Sequence, residues 1–312
     1  MNAPRRDTLL RLLSGEEELW PHLEAARRIR ERHFGKRVET CAIVNAKSGR
    51  CPSDCSFCAQ SARWKTGAPE YPLLSPDELL RAAERAATSG VDRFSFVISG
   101  IRPSPPELER LLSVIERVRR EFPDLSLCAS LGQLEEDELS ALKEAGLSRY
   151  HHNLETAESF YPRVSTVQRW RDRFDTVLRA RRAGLSVCSG GIFGLGEGPE
   201  EVLELARALR ELSVDSIPVN FLHPIPGTPL ERARHLTPRK ALAILVVLRF
   251  LFPETQIRVC GGREYNLREL QVLIPLVADS LMVGHYLTTR GRRLADDRQM
   301  ILDLGYTCGL RA

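Results

Sequence analysis

ERAATSGVDRFSFVIS, residues 84–99, joins a helix-forming run to a strand-forming run through a glycine. Ser89-Gly90 supplies the stop, because glycine takes the left-handed conformation that ends a helix without steric cost. The branched and aromatic residues of VDRFSFVIS then favour a strand. The same order recurs as ALKEAG before LSRYHHNLE and as RARRAG before LSVCSGGIFG, with Gly146 and Gly184 as the matching stops. Helix starts are equally legible. Ser75-Pro76-Asp77-Glu78 and Ser104-Pro105-Pro106-Glu107 each place a capping serine, a proline at the first helical position and a glutamate three residues after the serine.

Working outward from this unit, apolar and β-branched runs fall near 39–47, 93–99, 125–131, 149–155, 186–194, 216–224, 256–262 and 280–286. About eight strands alternating with helices predict a parallel sheet and, at this length, a (β/α)8 TIM barrel; an open doubly wound sheet is the other architecture of this pattern. The expected organisation is one domain, with N-terminal helices over 1–36 covering the barrel bottom or an edge, and the barrel over 37–312.

The chain has 312 residues and a net charge of +4, with 45 basic and 41 acidic residues spread along helices and not clustered with aromatics, so nucleic acid is not an expected partner. MNAPRRDTLLRLLSGEEELW lacks an apolar signal core, and ALAILVVLRFLF (241–252) is too short for a bilayer, which predicts a cytoplasmic chain with no membrane span. In that setting eight cysteines read as thiols, some of them metal ligands, and not as a disulfide framework.

CPSDCSFC places Cys51, Cys55 and Cys58 in one loop after the first strand, at the end where barrel active sites form. A structural zinc closes its shell with four protein ligands, and no second Cys/His pair stands at a matching distance. Three thiolates from one loop suit a 4Fe-4S cluster with one iron left open. A lone buried cysteine is usually a small hydrophobe, and Cys41 and Cys308 read that way. Cys128, Cys188 and Cys260 lie on the third, fifth and seventh candidate strands, and alternate strands of a barrel fill one layer, so these three are expected to converge on the axis as a second metal site.

The CxxxCxxC loop, with Phe57 before its last cysteine, resembles that of the radical S-adenosylmethionine (SAM) family. Over nearly the full chain the sequence is similar to the biotin synthases, through TGAPEYPLL (66–74), YHHNLETAESFYPRV (150–164), QRWRDRFDTVLRARRAGLSVCSGGIFGLGE (168–197), SIPVNFLHPIPGTPLE (216–231), IRVCGGRE (257–264) and GHYLTTRG (284–291). The resemblance implies conversion of dethiobiotin to biotin. An electron from the loop cluster would cleave SAM to a 5′-deoxyadenosyl radical, two hydrogens would be abstracted, and an auxiliary iron-sulfur cluster would donate the sulfur. It implies SAM contacts from Asn153, Glu155 and Arg173, with Ile192 and the GLGE turn against the adenosine and Phe57 beside the adenine. Asn153 and Asn220 would grip the ureido ring of dethiobiotin, and Thr288 and Thr289 would meet its carboxylate tail. A flavodoxin or ferredoxin donor and a homodimer are further implications.

In the common form of that family a 2Fe-2S cluster is held by three cysteines and an arginine. Cys128, Cys188 and Arg258 match three of these positions, but the strand-two cysteine is replaced by Ser95, and Cys260 stands where a serine is usual. The exchange changes the ligand polygon and favours a 4Fe cubane over a 2Fe-2S cluster, with Arg258 beside it and a sulfide on the iron that lacks a cysteine. Rival readings are another small-molecule radical SAM enzyme, of the hydrogenase-maturation or methylornithine type, and a non-catalytic iron-sulfur or zinc protein.

Overall fold

The computed structural model describes residues 4–311. Nine parallel strands form its sheet: β1 (Glu39–Lys47), β2 (Arg93–Ile98), β3 (Ser126–Ser130), β4 (Arg149–His151), β5 (Ser186–Cys188), β6 (Gly191–Phe193), β7 (Ser216–Phe221), β8 (Gln256–Val259) and β9 (Ser280–Met282). β5 and β6 are one stave of the barrel, broken at Ser189-Gly190. Both pair with β7, which closes the sheet into eight staves. The fold is therefore the closed (β/α)8 barrel and not the open sheet.

The expected signals sit where the chain needs them. Gly90, Gly146 and Gly184 all have positive φ at helix ends. Ser75 and Glu78 cap the helix Pro76–Thr88 reciprocally, and the Ser104 amide donates to Glu107 at 2.8 Å at the start of Pro105–Glu121. Most strands are shorter at their C-terminal ends than the apolar runs suggest, because the last residues leave the sheet to line a cavity. The helices Arg6–Ser14 and Trp20–Phe34 pack against the buried helix Pro238–Leu251. Among the described residues no helix is long and apolar enough to cross a membrane.

Register fixes which inward side chains share a height. In an eight-stave barrel with a shear of eight, a constant level rises by about one residue per stave. Cys41 pairs with Arg93 and Arg93 with Ser126, so two staves on from Cys41 the level residue is Cys128. The same walk runs from Cys128 through Arg149 and Ser186 to Cys188, and from Cys188 through Ser216 and Gln256 to Arg258. From Arg258 it passes through Ser280 and Glu39 and returns to Cys41. One layer thus holds Cys41, Cys128, Cys188 and Arg258. Cys260 does not share its height: it lies two residues beyond Arg258 on the same stave, one odd-stave layer higher, though it lines the same axial cavity as Cys128.

Candidate active site: a thiol loop above a layer of buried thiols

A single cavity of about 360 Å³ runs up the barrel axis to the C-terminal ends of the strands. Every site residue expected from the sequence lines it except the GLGE turn (194–197), which lies outside its lining, and Cys188, which is buried beside it with Arg258 Nη1 3.8 Å from its sulfur. All eight cysteines are free.

The upper end is the cluster loop. Its turns are closed by backbone bonds, Cys51 N to Gln60 O at 3.0 Å and Cys58 N to Cys55 O at 3.0 Å, and by Trp64 Nε1 donating to Cys55 O at 3.0 Å. Two side chains that the sequence reading did not single out hold the loop in place. Gln60 Oε1 accepts from Ser48 Oγ at 2.9 Å and Gly49 N at 3.3 Å. Asp54 accepts from Ser165 Oγ at 2.6 Å and from the amides of Thr166 and Val167 at 3.0 and 3.1 Å. Burial works against the Asp54 carboxylate, but these bonds outweigh it and hold its pKa well below the usual range. Burial pushes the Cys58 thiol up to about 12 and Cys55 upward as well. Such thiols keep their protons until a cation takes their place.

Beside the loop, Arg173 is buried, donating from Nε to the Tyr161 hydroxyl at 2.8 Å and from Nη1 to Asn153 O at 3.1 Å, with Glu155 Oε1 at 3.3 Å. Glu155 has φ 71°, a left-handed conformation uncommon outside glycine and typical of functional sites. Its carbonyl accepts from Ile192 N at 2.8 Å, and a Cβ on Gly191 would collide with that carbonyl, which explains a glycine there. Phe57 and Ile192 pack with Leu195 and Leu222 as an apolar wall. Of the GLGE turn, Leu195 joins this wall while Glu197 folds back to accept from the amides of Gly194 and Leu195, both at 2.7 Å.

Asn153 and Asn220 both line the cavity, from the staves that flank β5 and β6. Asn153 Oδ1 accepts from Gly190 N and Asn220 Oδ1 from Gly261 N, both at 3.2 Å, which fixes the orientation of both amides. Thr288 and Thr289 stand at the mouth, on a turn pinned by Tyr286 N to Thr289 O at 3.0 Å and by Asn45 Nδ2 to Leu287 O at 3.0 Å.

The lower end is polar. Glu39 lies 2.8 Å from Arg258 Nη2 and 3.5 Å from Arg93 Nε, while Arg149 Nη1 donates to Gln256 at 2.7 Å. Three buried guanidiniums thus stand around one carboxylate, which pairs with two of them, and positive charge is in excess. Ser216 Oγ and Arg93 Nε have no hydrogen-bond partner. Burial pushes the thiols of Cys41 and Cys260 upward and Cys128 up to about 11. At Cys188 burial is outweighed by neighbouring His151, Arg258 and Arg149, which bring it down to about 6. Cys41, read from the sequence as a small hydrophobe, faces this cavity and not the packed helical shell.

Residues 45–209 match the Radical SAM superfamily model, and residues 218–307 match the Biotin and Thiamin Synthesis associated domain. The chain is similar to the biotin synthase of Desulforudis audaxviator, at 52% identity over 89% of this chain and 84% of that one, and to that of Geobacter sulfurreducens, at 50% identity over 91% and 86%. Its fold is similar to that of a methylornithine synthase, with TM-score 0.84 and 22% identity over 97% of this chain and 94% of the other. It is also similar to that of the FeFe-hydrogenase maturase from Carboxydothermus hydrogenoformans, with TM-score 0.85 and 20% identity over 99% and 77%. The chain belongs to the biotin synthase family of the radical SAM superfamily.

Proposed function

We propose that this protein converts dethiobiotin to biotin, with SAM and two iron-sulfur clusters as cofactors. The observation that carries the reading is one cavity with a three-thiol loop at its mouth, a pair of oriented amides at mid-height and buried thiols at its base. When loaded, the loop cluster with SAM supplies the 5′-deoxyadenosyl radical and the auxiliary cluster supplies the sulfur.

Cys51, Cys55 and Cys58 are the proposed ligands of the 4Fe-4S cluster. Arg173, Glu155 and Asn153 hold SAM, the carboxylate of Glu155 suiting ribose hydroxyls, while Phe57 and Ile192 shelter the adenosine from water. Asn153 and Asn220 each offer a donor and an acceptor to the ureido ring, and Thr288 and Thr289 offer hydroxyls to the carboxylate tail. The auxiliary cluster rests on Cys128, Cys188 and Cys260 with Arg258 beside it. The excess of guanidinium charge in the floor and the unpartnered Ser216 Oγ suit an anionic sulfur cluster there and would be costly beneath a neutral core. A 4Fe cubane fits this set, since Ser95 withholds the strand-two thiolate. A flavodoxin or ferredoxin as donor, a homodimer and a cytoplasmic location complete the reading.

The test is an anaerobic assay of reconstituted protein with SAM, a reductant and dethiobiotin. Biotin formed together with 5′-deoxyadenosine is expected, and SAM should perturb the EPR spectrum of the reduced loop cluster. Deoxyadenosine without biotin would assign the site to a different small molecule. An EPR spectrum indifferent to SAM would remove the open iron.

A further inference from the structure

We propose that Cys41 is a thiolate ligand of the auxiliary cluster, so that four cysteines and not three surround it. The proposal rests on the reading that such a cluster occupies the barrel base.

Two independent features point there. The register walk places Cys41 level with Cys128, Cys188 and Arg258, each contributed by an alternate stave, as four residues fill one layer of an eight-stave barrel. Cys260 stands roughly 5 Å above that plane, the axial rise of two residues on a tilted strand. Three sulfurs in a plane and one above it surround a compact cluster in three dimensions, whereas Cys128, Cys188 and Cys260 alone leave the β1 side of the axis without a thiol. Ser95 has no sulfur to offer from β2, and Cys41 lies on the neighbouring strand, its partner two residues on, Ile43, being paired with Ser95 itself.

Charge is compatible with this without deciding it. Arg258 in the layer and Arg93 and Arg149 beneath it face Glu39 as the carboxylate, and a 2+ cubane core carries two negative charges either with four thiolates or with three thiolates and a hydrosulfide. Placement within the cavity is the second feature. Cys41 is 2% exposed yet lines the axial cavity together with Cys128 and Cys260. As the iron–sulfur bond forms, the Cys41 proton leaves to solvent, and no electron changes hands.

The experiment uses the full chain with Cys51→Ala, Cys55→Ala and Cys58→Ala, so that any cluster retained is the auxiliary one. This background and the same background with Cys41→Ala, Cys41→Ser or Cys308→Ala are reconstituted anaerobically with 57Fe and sulfide. Each is desalted and compared by iron per chain and by Mössbauer spectrum, with circular dichroism of the metal-free proteins as the check on folding. The expected result is roughly tenfold weaker iron retention for Cys41→Ala, a scale on which even outer-shell partners of a metal act. For Cys41→Ser the spectrum should shift to one iron of oxygen character, and Cys308→Ala should match the background. Iron content and spectrum in Cys41→Ala equal to those of Cys308→Ala would overturn the proposal. Two irons per chain in the background would instead overturn the cubane reading, leaving Cys41 judged by its own comparison, and no iron in the background would overturn both.

Discussion

Replacing Glu39 by glutamine removes the one carboxylate in the barrel floor while keeping its volume. In the metal-free protein the variant leaves Arg258, Arg93 and Arg149 facing one another without a carboxylate among them. Breaking a fully buried pair costs about 3–5 kcal/mol. The Glu39 side chain is 28% exposed, and water therefore screens part of the loss, bringing the expectation to about 2 kcal/mol. At a urea m-value of roughly 3–4 kcal/mol/M for a chain of this size, the midpoint falls by about 0.5 M. The acid dependence has a fixed sign. Burial raises the Glu39 pKa, but Arg258, Arg93, Gln256 and Arg149 outweigh it and set it below the ordinary value. The stabilisation is therefore present above the unfolded carboxylate pKa of about 4.3 and is lost as pH falls through the lower folded value. Urea titrations at pH 7 and pH 4 measure both effects, and cluster loading should narrow the gap at pH 7 by restoring negative charge above the floor. Equal midpoints for the two metal-free proteins at pH 7, or a more stable variant, would refute the charge argument.

Asp54→Ala strips the acceptor from Ser165, Thr166 and Val167; a loss of about 1–3 kcal/mol is expected, with faster iron release from the loop, followed by thermal unfolding and chelator kinetics. Because the Asp54 pKa is depressed, the destabilisation relative to the parent should vanish in acid as the parent's own carboxylate becomes protonated. Gly191→Ala drives a methyl into the Glu155 carbonyl and should weaken SAM binding about tenfold, read by SAM titration of the reduced-cluster EPR signal, at a cost of roughly 1–3 kcal/mol in stability. Asn220→Ala should raise the dethiobiotin concentration for half-maximal biotin formation about tenfold, the scale of one to two lost hydrogen bonds, with SAM affinity unchanged.

The repeating helix, glycine and strand units were legible because each is decided locally, by a cap, a stop and a run of branched side chains. Strand lengths were not, since an apolar run such as 149–155 continues past the point where Asn153 and Glu155 turn away from the sheet. The loop cysteines declare themselves by spacing. Cys41 does not: a single thiol on an apolar strand reads as packing, and only the stagger summed around the closed barrel places it level with Cys128. That same stagger, absent from any local pattern, puts Arg258 and not Cys260 in the layer. Asp54 and Gln60 were missed for a related reason, as the partners of Asp54 lie more than a hundred residues away and those of Gln60 across the loop.

The guanidinium floor also sets the traffic of the barrel. Buried Arg93 and Arg149, with Ser216 and Ser280 at their level, fill the lower end of the barrel beneath Arg258, and the cavity runs from there up to the cluster loop. Under the proposed function, iron or sulfide arriving to restore a spent auxiliary cluster would descend the shaft that SAM and dethiobiotin fill during a turnover. Repair and catalysis would then exclude one another in time, and the rate at which the shaft empties of product would limit how soon a second cycle begins.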